Sequence, residues 1–301
     1  MNSEIVSFEN VGFYFGPSNE DPSRAVERPE EVTEVFAGLS VSLPAGVMSL
    51  VGENGTGKST LLLLAGARLF PTTGRVLLFG KDTQDFARAA VDPELEEERN
   101  RYVSFVYQNM EFETEAAVGD LMEFVFENGY HHEGARRLLE DAQRELELSE
   151  FLHKRTQELS KGELQRTIVG FSILYGSKLL ILDEPVFAVE PERQERVFDF
   201  LVRFAGEFGC SVYYSAHNLE LTRHFSDHLL LFTKSGDLRL GPTQELFTRE
   251  IIEHAYKVPF QMLYRKDFLH RQMLATAHPG PADQGESGAD GERGGDGGGV
   301  S

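Results

Sequence analysis

The sequence predicts an α/β fold with a mainly parallel sheet. Three observations carry this: short apolar runs recur along the chain, helical periodicity lies between them, and a glycine-rich loop joins one run to a helix. Residues 179–182, Leu-Leu-Ile-Leu, form the plainest run. Unbroken apolar character marks a strand covered on both faces. Ser211–Ser215 and His228–Phe232 read the same way.

Taken in order, residues 5–15 read as strand, with Val11, Phe13 and Phe15 on alternate positions. Residues 17–32 are polar and proline-rich and read as a loop. Residues 35–50 read as short strands with a turn at Pro44, Ala45 and Gly46. An apolar helix is expected from Lys58 to about Phe70, then turn and strand over residues 71–80. Residues 92–101 are highly charged and read as a helix or turn on the surface. Residues 103–107 form another short strand. Helical periodicity over 118–152 runs through Leu121, Phe124, Val125, Leu138, Leu139 and Leu146. The tail, 276–301, is rich in Gly, Asp and Glu. It carries too little apolar surface to fold and is expected to be disordered.

The 301 residues are 41% hydrophobic and 26% charged, the balance of a soluble protein with a sizeable core. No apolar run reaches the ~18 residues that span a membrane. The segment 173–189 is broken by Lys178, Asp183, Glu184 and Pro185. The start, MNSEIVSFEN, has no basic region followed by an apolar stretch, so a cytosolic location is expected. A net charge of −20 argues against nucleic acid as a partner. Cys210 is the single cysteine, so no internal disulfide can form. Within the run 210–214 it reads as a buried strand thiol. His131 and His132, with Glu133, do not share a helix face and read as a solvated loop rather than a metal site.

Chemistry concentrates in two places. Gly52, Glu53, Asn54, Gly55, Thr56, Gly57, Lys58 and Ser59 spell G-x-x-x-x-G-K-[ST]. Glycines let the backbone turn tightly with its N–H groups aimed inward, and the helix that follows adds its positive dipole end. Lys58 brings a mobile charge for β- and γ-phosphates, and Ser59 a hydroxyl for Mg²⁺. The second place is the run 179–182 ending in Asp183 and Glu184. Asp183 suits Mg²⁺ held through water, and Glu184 suits a base for an attacking water. Alone, this pair reads equally well as a solvated acidic turn.

Three further segments make the pattern specific. Leu159, Ser160, Lys161, Gly162 and Glu163, continuing through Arg166, resemble the LSGGQ signature of ABC ATPases. Gln108 stands where that family has its Q-loop glutamine, and His217 where it has its switch histidine. The Ser160–Asp183 spacing is the family's usual one, and all five motifs fall in the family's order. The chain is identified by them as a member over roughly residues 3–260. In isolation Gln108 reads as a polar strand end and His217 as a satisfied histidine.

The resemblance implies a P-loop NTPase core with a mainly parallel sheet, an antiparallel β subdomain and a helical subdomain at about 112–160, all within residues 1–275. It implies ATP and Mg²⁺ as cofactors. The nucleotide would contact Gly52 through Thr60, with Ser59, Gln108 and Asp183 at the metal. Glu184, His217, Gln108 and Lys58 would be catalytic. Adenine would stack on Phe15, with Tyr14 as the neighbouring alternative and a core role open for either. Ser160 and Gly162 would close over the ATP of a second ABC subunit, in a homo- or heterodimer.

Lys161 and Glu163 depart from the commonest signature, and Glu190 stands where the family usually has the D-loop aspartate. A separate integral membrane permease would be the other partner, placing the chain on the inner face of the cell membrane. Residues 117–131 and 241–259 are similar to importers of iron-siderophores, haem or cobalamin. An exporter subunit, or a soluble ABC ATPase outside transport, is the alternative.

Overall fold

The computed structural model describes residues 4–16, 33–131, 136–234 and 236–263. The loop expected at 17–32 and the tail at 276–301 lie outside the described residues.

Two sheets share the core. The first is antiparallel, with β1 (Glu4–Phe15), β2 (Thr33–Pro44), β4 (Thr73–Leu78) and β5 (Lys81–Asp82) in the order β2-β1-β4-β5. Along β1 the buried positions change phase, from Val6 and Phe8 to Val11 and Phe13. A register shift between Phe8 and Val11, with Asn10 at φ 49°, explains the change. The bulge returns the apolar set to one face.

The second sheet contains β3 (Val47–Val51), β6 (Val103–Val106), β7 (Leu179–Asp183), β8 (Ser211–Ser215), β9 (His228–Phe232) and β10 (Leu238–Pro242). Its order is β10-β9-β3-β8-β7-β6, parallel throughout except for the β9–β10 pair. Every residue of β3, β7 and β8 is buried, including Ser49, Asp183, Ser211 and Ser215 among the apolar side chains. One face, with Leu50, Leu179, Ile181 and Tyr213, packs with the antiparallel sheet and α1 (Lys58–Ala65). The other face, with Leu180, Leu182, Val212 and Tyr214, meets α5 (Lys161–Tyr175) and α6 (Pro191–Phe208). In the chain, α3 (Val118–Glu127) and α4 (Arg136–Glu145) come between β6 and α5 and pack on α5. Met122, Leu138, Leu139 and Ala142 join them to Ile168 and Val169 of α5 in one apolar cluster.

Several expectations are corrected. The helix after the glycine-rich loop ends at Ala65, not near Phe70. Ala67 turns left-handed, φ 51°, and a Cβ on Gly66 would lie 3.0 Å from Phe105, so the chain turns away where it packs tightest. The charged run at 92–101, expected as a surface helix or turn, is borne out as a helix, α2 (Pro93–Tyr102), with Asp92 capping it. Cys210 stands one residue before β8 and is half-buried, and burial pushes its thiol up to about 12. His131 is no solvated loop residue: it stacks on Phe126, and its Nε2 lies 2.6 Å from the Leu174 carbonyl oxygen. Helices α7 (Leu219–Phe225), α8 (Thr243–Leu246) and α9 (Arg249–Tyr256) complete the fold. Leu219, Ile252 and Tyr256 cover Leu229 and Leu231.

Candidate active site

Strands β3, β6, β7 and β8 run parallel, so their carboxyl ends share one edge. Ligands of open α/β sheets bind at that edge. The glycine-rich loop leaves β3 there and enters α1 at Lys58. Gly55 and Gly57 have φ of 78° and 97°, a left-handed region that glycine occupies without strain. The Thr56 hydroxyl donates to the Glu53 carbonyl at 2.8 Å and braces the turn. Lys58 is buried, and its ammonium donates to the carbonyls of Gly52 and Glu53, both at 2.8 Å. Burial pushes this ammonium's pKa down, and Glu184, Asp183 and Glu53 oppose that shift. Ser59, Asn54 and Gly55 are exposed at the loop, and Thr60 is buried behind it. Glu53 is also paired with Lys234 at 2.9 Å.

Asp183 ends β7 and is buried; Glu184 follows at φ 51°. The hydroxyl of Ser215, at the end of β8, donates to Asp183 Oδ1 at 2.5 Å and accepts from the Glu184 N–H at 2.9 Å. One serine thus fixes both carboxylate residues, using its hydroxyl as donor and acceptor. Gln108 Nε2 donates to Glu184 Oε2 at 2.9 Å. His217 Nε2 lies 2.6 Å from Glu184 Oε1. An imidazole protonated on Nε2 can donate to this carboxylate. Gln108, Glu184 and His217, far apart in sequence, therefore meet beside Asp183 and the loop lysine. Ser215 was missed in the sequence; its one signal is that it closes an apolar strand two residues before His217.

Phe15 lies at the end of β1, exposed, with its ring edge-on to Phe13 at 5.0 Å. Phe13 pairs with Phe36 of β2, and a Cβ on Gly57 would lie 3.1 Å from Phe36. This brings the β1–β2 end beside the loop. Tyr14 is half-buried on the opposite face of the strand.

The signature segment is built separately. Ser160 caps α5: its hydroxyl accepts from the Glu163 N–H at 3.3 Å, and the Glu163 carboxylate accepts from the Ser160 N–H at 2.7 Å. Lys161 is exposed, 4.0 Å from Glu111. Gly162 has a steric reason within the chain: a Cβ there would stand 2.7 Å from the Ala188 carbonyl oxygen. Gln165 accepts from the Ala188 N–H at 2.8 Å, which ties the signature to the segment leading to Glu190.

A glycine-rich loop at the strand edge, closed by a strand-end carboxylate pair, defines a P-loop nucleotide-binding domain. Residues 36–187 match the family model described as ABC transporter. The chain belongs to that family and carries its ATP-binding domain. It is 33% identical over 199 residues to the lipoprotein-releasing system ATP-binding protein LolD of Hyphomonas neptunium, covering 65% of this chain and 83% of that one. It is 28% identical over 229 residues to the petrobactin import ATP-binding protein FpuC of Bacillus anthracis, covering 73% and 80%. The chain spans only 40% and 38% of the length of two longer relatives, from Bacillus subtilis and Methanosarcina acetivorans. Among solved structures, the dimeric ATP-binding cassette MJ0796 bound to ADP and Pi superposes with a TM-score of 0.63. The identity is 21%, over 79% of this chain and 99% of that one.

Proposed function

We propose that this chain hydrolyses ATP as one half of a cassette dimer and energises a separate membrane permease. The observation that carries this is the convergence of Gln108 and His217 on the two oxygens of Glu184, beside the loop that holds Lys58. The loop N–H groups and the N-terminus of α1 bind phosphate oxygens. Lys58 exchanges its two carbonyl partners for the β- and γ-phosphates. Glu184 accepts a proton from the attacking water, while Gln108 and His217 hold its carboxylate in place. Phe15, exposed at the end of β1, offers a ring face to adenine.

The residues fit Mg²⁺: Ser59, Gln108 and Asp183 offer a hydroxyl, an amide oxygen and one carboxylate, the oxygen donors this ion takes alongside substrate phosphates. Bound there, it would neutralise charge between the phosphates. Ser160 and Gly162 serve the ATP of the second cassette, which is either a second copy or a different chain. The cycle is then dimer closure on ATP and reopening after hydrolysis.

Import of an iron-siderophore, haem or cobalamin type of cargo is the favoured direction. Residues 117–131 and 241–259 support it, and so does the likeness to a petrobactin import protein. The likeness to a lipoprotein-releasing protein favours the competing reading, release rather than uptake. No helix among the described residues is long and apolar enough to cross a membrane. On this reading the chain sits on the inner face of the membrane through its permease.

Glu184→Gln tests the chemistry. ATP binding persists, turnover falls about 10²- to 10⁴-fold, the range for loss of a general base, and ATP traps a dimer on size-exclusion chromatography. Undiminished turnover in this variant would sink the assignment of the base. Co-purification of a permease from the native membrane, followed by stimulation of ATPase by metal chelates or by lipoprotein, separates import from release.

A further inference from the structure

One charged cluster away from the Glu184 site joins the signature helix to the segment that carries Glu190. Glu147 lies in the turn after α4, between Leu146 and Leu148, both fully buried. Its backbone is left-handed, φ 52°, where residues other than glycine are uncommon. Its carboxylate accepts from Arg193 Nε at 2.7 Å and also holds Arg196. From the signature helix, Arg166 reaches the same turn with its side chain 5% exposed, and lies 3.9 Å from Glu147 Oε2. Arg166 also donates to the carbonyls of Leu146 and Glu147. Arg193 Nη1 pairs in turn with Glu190 at 3.1 Å. The result is one connected line: signature helix, Arg166, Glu147, Arg193, Glu190.

Three arginines surround a single shared carboxylate. Burial lowers the pKa of the Arg166 guanidinium, and its neighbour Arg193 lowers it further; Glu147 is the nearest compensation. Without that charge, Arg166 and Arg193 repel, and Arg193 keeps only Glu190 of the two carboxylates it pairs with. The Arg193–Glu190 pair would then shift as a unit, no longer held at the turn after α4.

We infer that Glu147 is a positioning residue of the composite site: it clamps Arg193, and so sets the reach of Glu190 toward a second chain in step with the signature helix that Arg166 anchors. This rests on the dimeric ATPase reading above. It explains how a glutamate serves in the D-loop, because its longer side chain is drawn back by its own Arg193.

The test is steady-state ATP turnover by the purified full chain. Glu147→Gln keeps the shape and removes the charge. The expected result is a fall in kcat of about tenfold, the size of a typical contact coupling, with KM within about twofold because nucleotide first docks on the loop of its own chain. Arg193→Gln is expected to reproduce the loss, and the double variant to be no worse than either single one. Arg193 is half exposed, so its variant keeps the test open should Glu147→Gln fail to fold. Wild-type kcat in both variants, additive losses, or a lowered melting temperature with unchanged kcat would each overturn the inference. Absence of ATP binding by the unaltered chain would instead strike the ATPase reading.

Discussion

The loop end and the signature end of this site are constructed by opposite means. At the loop end, backbone does the shaping: Lys58 is buried and bonded to carbonyls of its own loop. At the signature end, side chains do it: Glu163, Gln165 and Arg166 hold an exposed segment against its neighbours. The first is complete within one chain. The second presents Ser160 at an exposed helix start, with Gly162 already committed to the Ala188 carbonyl. On the dimeric reading proposed above, the contrast makes single-chain binding and two-chain turnover depend on separable parts of the molecule.

Three substitutions break or sharpen that separation, beginning with the largest effect. Lys58→Ala removes the buried ammonium from the loop end and weakens ATP binding about 100-fold, the upper range for charged hydrogen bonds. Fluorescent-nucleotide titration of the isolated chain measures it. Gly162→Ala acts on the signature end. A methyl 2.7 Å from the Ala188 carbonyl oxygen forces apart the signature and the segment leading to Glu190. Overpacking of this kind costs about 1–3 kcal/mol, readable by urea unfolding, and ATP-driven dimer formation falls with it. Ser160→Ala removes the helix cap and costs about 1 kcal/mol in the same unfolding assay. If Gly162→Ala weakened nucleotide binding by the single chain as strongly as Lys58→Ala, the separation of the two ends would be wrong.

Much of this was legible because local chemistry and fold agree. The run 179–182 could only be a strand covered on both faces, and it is one. The loop from Gly52 to Ser59 needs a strand before it and a helix after it, and has both. Ser160 followed by Glu163 is a capping box, which is why the signature begins a helix. What was not legible depends on distant partners. Ser215 looks like an ordinary strand residue until β8 is placed beside β7. His131 looks solvated until Phe126 and the Leu174 carbonyl are brought around it. Helix α1 stops early at a left-handed Ala67, beside a Gly66 that lies close against Phe105 of β6, an arrangement that no local pattern encodes. Residues 238–256 carry β10, α8 and α9 on segments of five, four and eight residues, too short for a periodic pattern to stand out.

Glu184 holds φ 51°, a conformation that costs a residue with a side chain of order 1 kcal/mol or more. Asparagine or glycine would sit there with less strain. On the reading proposed above, in which Glu184 is the base, replacing it with a less strained residue would yield a sturdier but inert cassette. That reading makes the strain at Glu184 a cost borne for turnover, and a stabilised version of the protein is best sought by leaving this one position untouched.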